Sequence, residues 1–89
     1  MKYIVVKDVL GLENIILFPS TIEHKDMAVR ITGLHSQHLN GIVVSAGQIY
    51  YNEEIGTLNC IGESTPLGVR SREKDTGLLK ASLRVGNPL

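Results

Sequence analysis

Tyr3-Ile-Val-Val-Lys7 and Ile15-Ile-Leu-Phe18 are two runs of mostly β-branched and apolar residues, apolar on both alternating faces. The polar, glycine-containing stretch Asp8 to Glu13 lies between them, so the pair reads as a β-hairpin. Pro19 then removes a backbone donor and stops the second strand. Ser20 and Glu23 have the spacing of a capping box, which starts a helix. Met27, Ile31 and Leu34 recur at i, i+4 and i+7 as one apolar stripe, with Lys25, Asp26 and Arg30 off it and Gly33 as the C-cap.

Beyond a polar loop from His35 to Gly41, Ile42 to Val44 and Gln48 to Tyr51 read as one long strand. Ser45-Ala-Gly47 forms a bulge or bend within it, because small residues and glycine mark such irregularities. Asn52 to Gly56 turns the chain, Thr57 to Gly62 returns as a strand, and Ser64 to Val69 is a loop punctuated by Pro66 and Gly68. Ser71 caps a last helix that has Glu73 and Asp75 in its first turn and Leu79 and Leu83 one turn apart. Lys80 and Arg84 lie near its end, with Gly86 and Pro88 beyond. Gly77 inside it weakens the helix by about 1 kcal/mol relative to Ala.

The order ββαββα predicts a small single α+β domain over residues 1–89: a four-stranded, mostly antiparallel sheet with both helices on one face. Under that layout the second apolar set of Tyr3 to Val6 needs a cover, and a partner subunit is the expected source. The length of 89 residues, 43% hydrophobic residues and the lack of Trp point the same way, toward a thin aliphatic core that gains burial by forming a homo-oligomer.

Formal charge is zero, which excludes a globally basic nucleic-acid binder or a polyanionic mimic of DNA. The distribution is uneven. Acidic residues outnumber basic ones up to Leu67, whereas from Gly68 on Arg70, Arg72, Lys74, Lys80 and Arg84 face only Glu73 and Asp75. Cys60 is the single cysteine, so no intramolecular disulfide or CxxC site can form and no disulfide-linked partner is expected. With no signal-peptide pattern and no apolar run near the roughly 20 residues a bilayer span needs, the expected location is the cytoplasm.

The stretch Glu63-Ser-Thr-Pro-Leu-Gly-Val-Arg-Ser-Arg72 runs from a strand end through a loop onto a helix N-terminus. Free N–H groups and the positive end of a helix dipole emerge from such a junction. Ser64, Thr65, Gly68, Arg70, Ser71 and Arg72 are therefore the candidate ligand-binding residues for an anion such as a nucleotide or a carboxylate. The competing reading is that Ser71 merely caps the helix and the arginines are solvated or paired with Glu63, Glu73 and Asp75. Neither GxxxxGK[ST] nor GxGxxG occurs, so kinase-like and dehydrogenase-like readings fail and no cofactor is expected.

His24, His35 and His38 lie near Glu23 and Asp26, but loop placement and divergent helix positions favour surface histidines over a metal site. Cys60 reads as a buried small hydrophobe, and no GxSxG elbow is present, so no catalytic residue is assigned. Of Tyr50 and Tyr51, on opposite faces of a strand, one is expected in core or interface.

Ile16-Leu-Phe-Pro, the following helix with His24 and Met27-Ala28, Val44-Ser-Ala-Gly47, and Cys60-Ile-Gly-Glu-Ser64 leading into Ser71-Arg72 and Asp75 together resemble small accessory proteins encoded by phages and prophages. The resemblance covers most of the chain and carries no assigned chemistry. It implies a protein that acts stoichiometrically in host cytoplasm, by sequestering a nucleotide signal of host defence or by blocking a host protein. The first expectation is thus a non-enzymatic binder of a nucleotide-like anion at residues 64–72. The second is a protein-interaction module that inhibits a host protein through its sheet face or edge. A small phosphoester-acting enzyme, with Asp75 or His24 as general base, ranks third.

Overall fold

A computed structural model describes residues 1–32 and 41–85. The first hairpin forms as its pattern requires: β1 (Lys2–Lys7) and β2 (Glu13–Phe18) pair antiparallel, with Lys2 opposite Phe18 and Lys7 opposite Glu13. Asp8 ties the turn. Its Oδ1 accepts from the N–H groups of Leu10 and Leu12, and Gly11 takes φ +84°, a conformation L side chains avoid.

After Pro19 the chain makes a turn, with the Ile22 N–H donating to the Pro19 carbonyl, before α1 (His24–Thr32) begins. The expected Ser20–Glu23 capping box is not what starts the helix. Glu23 stands at its head, its carbonyl accepting from Met27 N–H, and the turn before it tucks Ile22 against the core. Gly33, Leu34, His35 and His38 fall outside the described residues, as do Gly86 and Pro88.

β3 (Ile42–Asn52) is one long strand, paired antiparallel with both β1 and β4 (Thr57–Ile61), so the sheet order is β2-β1-β3-β4. Its irregularity lies at Val44, because Val43 faces Val6 while Ser45 faces Val5 and nothing is left opposite the residue between. This is one residue earlier than the small-residue signal indicated. Where a loop was expected at 64–69, β5 (Glu63–Ser64) and β6 (Val69–Arg70) form a small hairpin. Gly68, at φ +68°, closes its turn by donating to the Thr65 carbonyl. The last element is α2 (Glu73–Val85).

The predicted class and the four-stranded antiparallel sheet hold, but the helices lie on opposite faces of that sheet rather than on one. Ile4, Val6 and Ala46 meet Phe18 and Ala28 on one side, where Met27 and Ile31 of α1 and Leu67 and Val69 of the small hairpin close the core. Tyr3 and Val5 point the other way. There Tyr3 reaches Asp75 of α2, and Leu79 is buried. β1 is apolar on both faces because it is the strand buried on both. The cover expected from a partner subunit is supplied by the chain's own last helix.

Candidate functional site

The stretch 63–72 is divided by the fold into an outer and an inner part. Thr65, Gly68 and Arg70 are exposed. Ser64 is buried, its Oγ without a hydrogen-bond partner among the described residues. The N–H of Ser71 donates to the Gly62 carbonyl, and Gly62, Glu63, Arg70 and Ser71 line an open hollow of about 310 Å³.

Arg72 turns inward. Its guanidinium donates from both terminal nitrogens to the Glu13 carboxylate, at 3.1 and 2.9 Å, and from Nε to Asp75 Oδ1 at 3.0 Å. The fork geometry of arginine suits this bidentate grip. Asp75, fully buried, also accepts from the Tyr3 hydroxyl at 2.7 Å and from the backbone N–H of Arg72 at 2.9 Å. That last bond caps α2: a carboxylate three residues into the helix reaches back to the first orphan donor, the role the sequence assigned to Ser71. One of the N–H groups expected to receive an anion is therefore already occupied by Asp75, and Arg72 is neutralised by two carboxylates.

The titration shifts follow from this network. Hydrogen bonding from Arg72 holds the Glu13 carboxyl below its usual range, and the same contact, with Asp75 second, raises the Arg72 guanidinium. Burial, then the neighbouring Asp75, pushes up both the Tyr3 hydroxyl and the Cys60 thiol. Because Glu13 is depressed in the folded state, the stability it contributes is present above the ordinary Glu value of about 4.3 and is lost as pH falls through the folded value. Glu13→Gln is expected to flatten the acid limb of a stability-against-pH curve. An unchanged limb in urea titrations between neutral and acid pH would show that the ion pair is not linked to folding.

His24 is buried with its ring edge-on to Phe18, and Nε2 bonds the Gly47 carbonyl at 2.8 Å. It serves as a tie between α1 and β3. Among the described residues no group of three or more His, Cys, Asp or Glu is placed to hold a metal ion, and no helix is long and apolar enough to cross a membrane.

A second surface emerges that the sequence analysis did not single out. β2 is an edge strand, and its backbone polarity can be worked out from the register. Ile49 N–H donates to the Met1 carbonyl, so these two residues form a hydrogen-bonded pair, and partners alternate along a central strand. Tyr3 and Val5 then turn their backbone groups to β3, and Ile4 and Val6 turn theirs to β2. On β2, Asn14 and Ile16 are spent on β1, while Ile15 and Leu17 present N–H and C=O outward. The same alternation leaves Cys60 of β4 facing outward, and its N–H is taken by Thr76 Oγ1 at 3.1 Å. Among the described residues the fold thus covers part of one edge with α2 and leaves the other bare.

Beside the bare edge runs a largely apolar groove of about 330 Å³, lined by Glu13, Asn14 and Ile15 of β2 and by Leu78, Ala81 and Ser82 of α2. No bulge, proline or lysine guards the strand from 13 to 18. Its one charge, Glu13, is engaged by Arg72 and by Lys74 at 3.4 Å. No protein-family model, curated protein or solved structure matches the chain.

Proposed function

We propose that this chain is a non-enzymatic protein-interaction module that binds its partner by strand addition at the outer edge of β2. The observation that carries the reading is the backbone of Ile15 and Leu17, unpaired among the described residues, beside an apolar groove. Main-chain hydrogen bonds supply affinity in such a complex, and the groove selects alternate side chains of the incoming strand. Around β1 both sheet faces are covered, by α1 and by α2, which leaves the edge of β2 as the route for a sheet-mediated contact there. The stoichiometric accessory role implied by the resemblance to phage proteins, the blocking of a host protein in the cytoplasm, is of this kind.

The anion-binding reading keeps one specific support, the exposed Arg70 beside Ser71 and the open hollow at Gly62 and Glu63, where a phosphate of a nucleotide-like ligand could sit. The two readings separate in one experiment. The wild type, Leu17→Pro and Arg70→Ala are each examined by native mass spectrometry against a panel of extended peptides and a panel of nucleotides. Proline at position 17 removes an outward donor and spares the bonds to β1. Strand addition predicts peptide binding lost in Leu17→Pro and kept in Arg70→Ala. Nucleotide binding lost in Arg70→Ala alone would instead establish the anion site. Arg72→Ala is unsuitable for this purpose, because it also dismantles the Glu13–Asp75 network.

A further inference from the structure

We infer that the strand received at the β2 edge is β2 of a second copy of this chain, so that two copies form one continuous sheet twice as wide. The inference rests on the strand-addition reading and names the partner for that same edge.

The requirements of the site select the occupant. A strand laid against β2 has one row of side chains on the α2 side, against Ile15, Leu78 and Ala81. Its other row lies on the α1 side and continues the line of Ile16 and Phe18. Both rows must be apolar. β2 meets this demand over Ile15 to Phe18, with Ile15 and Leu17 on one face and Ile16 and Phe18 on the other, and Asn14 is the one polar residue that continues the second row. β4, the other edge, does not, since Thr57 and Asn59 share one of its faces.

Symmetry then fixes the geometry. A two-fold axis along the sheet normal through Ile16 brings the strands together antiparallel, and Ile15 of each copy meets Leu17 of the other. These are the residues whose N–H and C=O groups point outward, so each such pair exchanges both of its hydrogen bonds. The axis keeps the two α2 helices on the same side of the joined sheet, and the two grooves open toward each other.

Charge permits the contact. Asn14 to Phe18 are uncharged, and Glu13 at the strand's end is already held by Arg72 and Lys74 of its own chain. The chain as a whole carries no net charge, so two copies approach without long-range repulsion.

The test measures the solution mass of the full chain by sedimentation over a range of concentrations, for wild type, Leu17→Pro and Ile15→Lys. Wild type is expected at twice 9.7 kDa and both variants, with native far-UV circular dichroism, at 9.7 kDa. Amide exchange of the wild type provides a readout that needs no variant. The Ile15 and Leu17 N–H groups should exchange about tenfold or more slowly at high concentration than at high dilution, while those of Asn14 and Ile16 are protected throughout. A wild type that stays at 9.7 kDa, or a dimer that persists in both variants, overturns the inference. A monomer that still binds extended peptides and loses them in Leu17→Pro retains the strand-addition reading and assigns the edge to a foreign strand. A monomer that binds none removes both.

Discussion

Asp75→Ala is expected to lower the free energy of unfolding by about 3–5 kcal/mol, the loss seen when one member of a buried ionic pair is removed. Three things depend on this side chain. It is an acceptor for the buried Tyr3 hydroxyl, it holds the Arg72 guanidinium together with Glu13, and it caps the first turn of α2. The truncation strands a hydroxyl and a partly buried cation and leaves an orphan N–H, all at once. Since a domain of this size has a total stability of roughly 5–13 kcal/mol, the variant should be partly unfolded at moderate urea. Asp75→Asn, which keeps an acceptor but not the charge, is expected to lose about half as much. Urea titrations followed by circular dichroism decide the matter. An Asp75→Ala midpoint within about 1 kcal/mol of wild type would mean that the network contributes little to folding.

Gly47→Ala carries the second large effect. A Cβ at this position would stand 2.2 Å from the carbonyl oxygen of Ile61 and 3.2 Å from Cε1 of Tyr3. The first neighbour is backbone and cannot swing aside, so β3 and β4 must part where the chain leaves the sheet at Gly62. The displacement also pulls on the Gly47 carbonyl that His24 grips from α1. A loss of about 3 kcal/mol or more is expected, the upper end for overpacking a closed site. Gly77→Ala is the matched control. No atom lies within 4 Å of its added Cβ, and it sits in a helix, so it should gain about 1 kcal/mol. Equal midpoints for the two variants in thermal and urea unfolding would contradict the close approach at Gly47.

Gly47 also shows how far local reading reaches. The Ser-Ala-Gly run marked a special backbone position in the long strand, and a special position is there. The bulge itself falls at Val44. The glycine is required by the neighbouring Ile61 carbonyl, a contact between strands that spacing within one strand does not encode.

The candidate site divides in a similar way. The chemistry of 63–72 was legible as a cluster of hydroxyl and guanidinium donors at a helix start, and that junction exists. Which arginine faces solvent was not legible, because Arg70 and Arg72 differ only in what the fold brings to them. Glu13, far away in sequence, reaches Arg72 through the pairing of β1 with β2 and the packing of α2 over the sheet. Asp75 looked like an ordinary first-turn acid, and only its burial beneath Tyr3 distinguishes it.

By itself the sequence determined the order of the four long strands and two helices, the first hairpin, the interruption at Pro19 and the α+β class. Those features follow from periodicity, turn residues and proline, which act over a few residues. It also determined that β1 must be covered on both faces, since its residues are apolar on both. The tertiary structure alone decided that α2 supplies the second cover, that Arg72 is consumed internally, and that β2 lies bare at the edge while Thr76 occupies an outward donor of β4. An apolar pattern states that a surface must be buried; which neighbour buries it depends on strand order and crossing helices, and these are set by contacts between residues distant in the chain.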